Sequence, residues 1–275
     1  MTLRAVLHRL HLQSPRPQPM AAFYGRAFGM QVAADAGLLR CTAPEREVSF
    51  SEGQAQQLGY ALFRFDHAAD WSGFLDRIAA RPTADASQLP GLPDGARLVR
   101  DPDGTCLAFF LAGKPADRPA PALPPACGQH FALRTQRIDE MVAFYADVLG
   151  FVVSDRVRDA QGRLTACFLR THDLHHSLAL FSAPVTCFDH QSFETPNWGD
   201  LKTWADHMAH ERIEIVWGVG RHGPGNDAFF MVRDPDGNLA EISTEIEVCE
   251  ADRPAGSWRH EERTLNLWGK AILRS

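Results

Sequence analysis

"VRDPDGNLAEIST", residues 232–244, is a tight turn followed by a short apolar strand, and an earlier stretch of the chain repeats it. Asp-Pro-Asp-Gly favours a turn because proline presets the backbone and glycine tolerates a positive φ. The strand that follows carries one carboxylate, Glu241, among apolar neighbours where a buried strand would prefer none. The earlier copy, "VRDPDGTCLAFFL" at residues 99–111, has Ala108 in place of that glutamate. The fold therefore does not require the acid.

The duplication extends to the start of each copy. Residues 9–30 align without gaps with residues 130–151, so that Arg9 corresponds to His130. Both stretches contain a methionine, an Ala-Phe-Tyr triplet and a glycine at matching positions. The sequence therefore predicts two modules that share one fold.

A proline-rich stretch, "GKPADRPAPALPPACG", lies between the copies and favours extended backbone over helix. We place the module boundary there. The predicted organisation is an N-terminal module (1–118), a linker (119–127), a C-terminal module (128–245) and a tail (246–275). The tail carries two tryptophans amid charged residues, which is compatible with capping a site, with subunit contact, or with packing on the outside of the fold.

Composition and charge exclude several classes of partner. The chain has 275 residues and a formal charge of −6 without blocks of one sign, which predicts no binding to nucleic acid or to anionic lipid. Its six cysteines form no CxxC pair, and no apolar run approaches the length of about 18 residues that a membrane span needs. We therefore expect a cytoplasmic protein, with no membrane partner, that acts on a small molecule.

Within the second copy, apolar periodicity predicts the same order of elements twice. Residues 130–135 form a strand pattern, residues 139–149 a helical one, and three further strands follow. The order recurs from residue 189, with a helical pattern over 198–211 and a last strand over 238–245. The predicted fold class is α+β: tandem βαβββ units in two domains, each a partly closed mixed β-barrel with flanking helices.

The sequence here resembles the vicinal oxygen chelate superfamily, which includes the glyoxalases and the bleomycin resistance proteins, and within it the two-domain type I extradiol catechol dioxygenases. The resemblance covers roughly residues 5–245 and is carried by the duplicated modules, "FDHQSFE" and "NLAEIS". It implies a small aromatic diol and O₂ as substrates, ring cleavage next to the hydroxyls to a muconic-semialdehyde-type product, and a homo-oligomer.

The resemblance also implies a metal site in the second module, with His130, His190 and Glu241 as ligands. Two histidines and one carboxylate on one face leave the opposite positions of Fe(II) open for a bidentate substrate and O₂. We expect Fe(II), with Mn(II) as the alternative. In the first module the same positions hold Arg9, Tyr60 and Ala108, a set that could not bind this metal.

Two further histidines are candidate catalytic residues. In "THDLHHSLALF" the paired histidines precede an alternating strand, so their side chains should point to opposite faces. The resemblance implies that His176 is the acid and base, whereas a surface histidine pair is the alternative. It also implies that His222, in a glycine-rich segment, borders the hydroxyls of the substrate.

One position departs from the family, because Met231 stands where the catechol enzymes usually carry a tyrosine. This departure leaves open a glyoxalase-like isomerase or lyase using another divalent metal, or a non-catalytic module that binds a small ligand. A glyoxalase-like site would more often add a second carboxylate, and no matching strand position holds one. The candidate aromatic residues for the pocket are Phe181, Phe188, Phe193, Trp198 and Phe229.

Overall fold

The computed structural model describes residues 2–35, 37–81, 89–113 and 123–272. These residues form two mixed β-sheets, one for each copy of the repeat. The first sheet has seven strands and the second has nine.

The first module contains seven strands and two helices in its described part. Its elements are β1 (Ala5–Ser14), α1 (Pro17–Ala27), β2 (Gln31–Asp35), β3 (Leu38–Ala43), β4 (Arg46–Glu52), β5 (Gln57–Phe65), α2 (Ala68–Ile78), β6 (Arg97–Arg100) and β7 (Cys106–Leu111).

The second module repeats the βαβββ order twice, as predicted. Its first unit is β8 (Cys127–Thr135), α3 (Ile138–Ala143) continued by a π-helical segment (Phe144–Leu149), β9 (Val152–Arg158), β10 (Leu164–Arg170) and β11 (Leu178–Ser182). Its second unit is β12 (Cys187–Glu194), α4 (Trp198–His210), β13 (Ile215–Arg221), β14 (Ala228–Arg233) and β15 (Leu239–Thr244). The tail adds β16 (Gly256–Arg259) and α5 (Glu262–Leu265).

The strand orders are β2-β3-β4-β1-β5-β7-β6 in the first sheet and β13-β14-β15-β12-β8-β11-β10-β9-β16 in the second.

Strand register confirms the fold class and the internal alignment. In the second sheet, His130 of β8 lies opposite Ser192 of β12, which in turn lies beside Glu241 of β15. In the first sheet the corresponding row is Arg9, Leu62 and Ala108, from β1, β5 and β7. The two rows have the same antiparallel and parallel pairings, so both modules are the predicted partly closed mixed barrel with helices on the outside.

Each Asp-Pro-Asp-Gly turn is closed by its own first aspartate. Asp234 Oδ1 accepts hydrogen bonds from the backbone N–H of Asp236 and of Asn238, at 3.0 and 2.9 Å. Asp101 Oδ1 does the same for Asp103 and Thr105 in the first module. The aspartates are thus turn residues in both copies and not metal ligands.

The two modules are joined by a reciprocal pair of hydrogen bonds between repeated motifs. The Tyr24 hydroxyl of α1 donates to Asp234 Oδ2 at 3.2 Å, and the Tyr145 hydroxyl donates to Asp101 Oδ2 at 2.9 Å. All four side chains are buried in or beside the large apolar core that runs between the modules. The tyrosine of each Ala-Phe-Tyr triplet therefore holds the turn of the other module.

The tail packs against the second barrel. Its strand β16 extends the sheet beside β9, and Leu267 N donates to the carbonyl of Arg221 at 2.7 Å. The predicted boundary between residues 118 and 119, and linker residues 119–122, lie outside the described ranges. The proposed module limits, 1–118 and 128–245, therefore stay predictions, with β8 beginning at Cys127. Across the described ranges no helix has the length and apolar character needed to cross a bilayer.

Replacing Tyr145 with phenylalanine should destabilise the protein, because it leaves Asp101 Oδ2 buried without its donor. A buried acceptor that loses its partner costs about 1–3 kcal/mol in the free energy of unfolding. We would measure unfolding in urea for Tyr145→Phe, Asp101→Asn and the double variant, and expect the double variant to cost less than the sum. Full additivity would contradict the role given to this hydrogen bond.

Candidate metal centre

The three predicted ligands converge in the second barrel. His130 Nε2 lies 3.0 Å from His190 Nε2 and 3.9 Å from Glu241 Oε1. All three side chains are buried, and they come from the central strands β8, β12 and β15. Central strands are paired on both edges, so their backbones hold the side chains at fixed positions.

The outer nitrogen of each histidine is anchored by a neighbour. His130 Nδ1 contacts Gln129 Oε1, and His190 Nδ1 lies 2.6 Å from Asp189 Oδ1. Arg134 Nε in turn donates to Asp189 Oδ2 at 2.6 Å. An acceptor at Nδ1 places the proton there and leaves the Nε2 lone pair facing the centre, which is the arrangement that metal-binding histidines adopt.

The charges of the three groups suit a divalent cation. Burial lowers the pKa of His130 to about 3, so its imidazole is neutral near pH 7. Burial alone would raise the pKa of Glu241, but His222 and His130 lower it below its usual range, so the carboxylate is ionised. Its Oε1 is buried and has no hydrogen-bond partner among the described residues. The neutral imidazole of His130, the Nε2 of His190 and the ionised carboxylate of Glu241 fit Fe(II) or Mn(II).

The paired histidines are both buried, so the alternative of a surface pair is wrong. His176 lines the cavity, with its ring centroid 4.2 Å from that of His130. His175 points away from the cavity: its Nδ1 lies 3.0 Å from His176 Nδ1 and its Nε2 lies 3.2 Å from Asp155 Oδ2. Burial and the adjacent His130 lower the pKa of His176, which is therefore neutral near pH 7.

His222 completes the ring of histidines around the cavity. Its Nε2 lies 3.4 Å from Glu241 Oε2, and its Nδ1 donates to the backbone carbonyl of Leu265 in the tail at 2.5 Å. Phe229 stacks on the imidazole with a centroid distance of 3.7 Å and an interplanar angle of 6°. Burial alone would lower the pKa of His222, but the carboxylates of Asp227 and Glu241 raise it.

Asp227 was not among the predicted site residues. It is fully buried just before β14, and neither carboxylate oxygen has a hydrogen-bond partner in the described part of the chain. Burial and the charge of Glu241 raise its pKa. Within the described ranges, His222, Asp227 and Glu241 each offer a donor atom, and these atoms lie within 4.8 Å of one another. The only signal in the sequence was an acid directly before an apolar strand.

A cavity opens over these side chains. Of the five aromatic candidates, Phe181 lines it and Phe229 supports His222, whereas Phe188 and Phe193 lie in the core between the modules and Trp198 is exposed. Met231 is on the wall, and no tyrosine is among the lining residues. The cavity is lined by His130, Phe168, His176, Ala179, Phe181, His190, Trp217, His222, Pro224, Met231 and Leu265.

The first module shows what replaced the donors. Arg9 forms an ion pair with Glu47 at 2.8 Å and donates to the Tyr60 hydroxyl at 3.0 Å. Register pairs Tyr60 with Cys106, as it pairs His190 with Leu239, which confirms that Tyr60 is the counterpart of His190. A guanidinium, a phenol and the methyl of Ala108 occupy the three ligand positions.

The fold and the sequence match known proteins. A sequence model of the Glyoxalase/Bleomycin resistance protein/Dioxygenase superfamily matches residues 129–242. Metapyrocatechase 2 of Cupriavidus necator is 28% identical over 272 residues, covering 90% of this chain and 83% of that protein. Biphenyl-2,3-diol 1,2-dioxygenase 3 of Rhodococcus globerulus is 31% identical over 154 residues, covering 52% and 75%. The Mn(II)-bound glyoxalase from Novosphingobium aromaticivorans shares the fold, with a TM-score of 0.82 at 23% identity over 100% of this chain and 93% of that one.

The chain therefore belongs to the Glyoxalase/Bleomycin resistance protein/Dioxygenase superfamily. Relatives that match most of its length include a metapyrocatechase and two biphenyl-2,3-diol 1,2-dioxygenases. Within the superfamily it is an extradiol catechol dioxygenase, an oxidoreductase, as the resemblance of the duplicated modules implied.

Asp155 connects the histidine pair to the tail. Its Oδ1 accepts from Gly256 N and Arg253 Nη1, at 3.0 and 3.1 Å, and its Oδ2 accepts from Trp258 Nε1 at 2.6 Å. Burial alone would raise the pKa of Asp155, but His175, Trp258 and Arg253 lower it below its usual value of 3.8. A carboxyl whose pKa is lower in the folded state stabilises the fold above that value, and the contribution is lost as pH falls below it.

Replacing Asp155 with asparagine should therefore lower the free energy of unfolding by about 2 kcal/mol at pH 7, because charged hydrogen bonds to the tail are lost. The difference from the wild type should be constant down to about pH 5 and shrink below about pH 4. Denaturant unfolding at a series of pH values measures this. Asp252→Asn, which changes an exposed carboxyl of the tail, is the control. An equal effect of both variants would contradict the prediction.

Proposed function

We propose that this chain is an Fe(II)-dependent extradiol dioxygenase, with Mn(II) as the alternative metal, whose ligands are His130, His190 and Glu241. The observation that carries the proposal is the meeting of two Nε2 lone pairs and one unsatisfied carboxylate oxygen beneath a cavity. The first module has the same fold without this donor set. Relatives of the chain include an iron-dependent extradiol dioxygenase and a manganese-dependent one.

When bound, the metal ion would lower the pKa of a diol hydroxyl and bring the diol and O₂ together. In the overall reaction both atoms of O₂ enter the product, and the ring carbon–carbon bond beside the diol breaks. The product is a ring-opened aldehyde and carboxylic acid of the muconic-semialdehyde type, so no external reductant is consumed.

His176 would act as the general base and then as the general acid. Its Nδ1 is engaged by His175, which leaves Nε2 as the nitrogen for the cavity. Because burial lowers its pKa, the imidazole is neutral and has a lone pair available for a proton of the diol. The protonated ring is destabilised by burial, so it returns the proton readily when the oxygen–oxygen bond breaks.

His222 would orient the diol from the other side of the cavity. The carbonyl of Leu265 and the stacked Phe229 fix its ring, so its Nε2 keeps one direction. Asp227 and Glu241 raise its pKa, which favours the form that donates a hydrogen bond from Nε2 to a substrate oxygen. This contact would do part of the work of the tyrosine that Met231 replaces.

The cavity lining favours an uncharged ring. Apart from the histidines, its described lining residues are apolar, and none is lysine or arginine. A carboxylate on the ring would lose its hydration without gaining a cationic partner, which is costly. We therefore infer a catechol that is unsubstituted or carries small apolar groups.

The test is oxygen uptake by the anaerobically purified, Fe(II)-loaded protein. Catechol and methylcatechols should consume O₂ and give a yellow ring-opened product, whereas 3,4-dihydroxybenzoate should be a much poorer substrate. Glu241→Ala should abolish metal binding and uptake together, whereas His210→Ala, which changes an exposed histidine, should leave both intact. Retention of metal without oxygen uptake by any diol would contradict the proposed reaction.

Replacing His176 with glutamine should lower kcat by about 10²-fold or more, because the base that receives the diol proton is removed. The metal content should stay that of the wild type, since His176 is not among the proposed ligands. Steady-state kinetics and metal analysis on one preparation measure both quantities, with His210→Gln as the matched control. A parallel loss of metal and activity would contradict this role.

A further inference from the structure

Asp227 raises the pKa of His222, but this effect does not account for the burial of its own carboxyl group. Its carboxylate is completely buried, and both oxygens lack a hydrogen-bond partner in the described part of the chain. Burying a carboxyl group without a hydrogen-bond partner is costly. No side chain in the described ranges donates a hydrogen bond to the Asp227 carboxyl group. A bound cation would supply the missing partner.

The surroundings of Asp227 form a set of donors for a cation. One donor atom from each of His222, Asp227 and Glu241 lies within 4.8 Å of the other two. First-row divalent ions bind nitrogen and oxygen at about 2.0–2.3 Å, so donors that share one ion lie up to about 4.6 Å apart. Small side-chain rotations would therefore bring all three onto one ion.

The imidazole of His222 is already oriented to bind a cation. Its Nδ1 donates to the Leu265 carbonyl, so Nε2 is the nitrogen directed at Glu241. This is the arrangement in which metal-binding histidines hold the remote ring nitrogen. A cation would displace the Nε2 proton, as metal binding to histidine generally does.

Glu241 presents one oxygen to each side. Oε1 lies 3.9 Å from His130 Nε2, and Oε2 lies 3.4 Å from His222 Nε2. One carboxylate can bridge two ions in this way, as in two-metal sites whose ions are about 3.5–4 Å apart. The other buried acid nearby, Glu194, is already hydrogen-bonded to Ser243 Oγ and Ile246 N.

We propose that His222, Asp227 and Glu241 form a second divalent-cation site, joined through Glu241 to the site of His130 and His190. The proposal rests on the proposed function, because it takes Glu241 as a ligand of the first ion. One imidazole and two carboxylates suit Mn(II), Fe(II) or Zn(II). Occupation of the second site removes His222 Nε2 from the substrate, so excess metal inhibits the enzyme.

The test uses Mn(II) alone, added anaerobically to the metal-free full-length protein, with bound metal measured by equilibrium dialysis. The wild type should bind two ions per chain, and electron paramagnetic resonance should show the exchange-coupled signal of a bridged pair. Asp227→Asn, which is nearly isosteric, should bind one ion and show an isolated Mn(II) signal. His190→Ala should lose the first ion and retain binding at the second site. His210→Ala is the control and should bind two.

One ion per chain in the wild type, with the isolated signal, overturns the second site and leaves the proposed function standing. This result requires no variant, so a folding defect in Asp227→Asn does not obscure it. No bound metal in the wild type would overturn both proposals. In the active enzyme, inhibition by excess Mn(II) should weaken at least tenfold in Asp227→Asn, and unchanged inhibition would contradict the effect on His222.

Discussion

The hydrogen bonds exchanged between the two modules are the constraint on which the site depends. Asp234 closes the turn that begins β15, and Tyr24 from the first module holds its other oxygen. Glu241 lies seven residues further along, in the middle of that strand. The first module has lost the donors but still fixes the turn that positions Glu241. This contribution gives a reason, beyond shared apolar core, why a module without metal ligands remains part of the fold.

The centre combines two opposite electrostatic demands. Four histidines meet in a buried cavity, where a positive ring is unfavourable, and burial lowers the pKa of His130 and His176 accordingly. On the other side, carboxylates raise the pKa of His222. The proposed base, His176, and the proposed hydrogen-bond donor, His222, are thus the same residue type with pKa values shifted in opposite directions, because one lies among imidazoles and the other beside acids.

The internal duplication made the strand order and the importance of Glu241 predictable from the sequence. Two copies of one pattern gave the strand order, and the contrast between Glu241 and Ala108 singled out a residue that the fold does not require. Asp227 was not predicted as a site residue. What marks it is the lack of a hydrogen-bond partner among the described residues, and no sequence pattern shows this. Phe188 and Phe193 were candidate cavity residues, yet both pack in the core between the modules, because β12 is buried on both of its faces. The contact of the tail with His222 could not be predicted from the sequence either, because its acceptor is a backbone carbonyl, which every residue has.

The backbone carbonyl of Leu265 affects how the protein can change in evolution. The acceptor for His222 Nδ1 is the main chain at Leu265, so it persists whatever amino acid occupies that position. The side chain of Leu265, in contrast, is part of the cavity wall. Drift at this one residue could reshape the pocket, and with it the range of rings accepted, while the orientation of His222 is inherited unchanged. The side chain of Leu265 would thus affect which rings fit the cavity, whereas its backbone carbonyl orients His222.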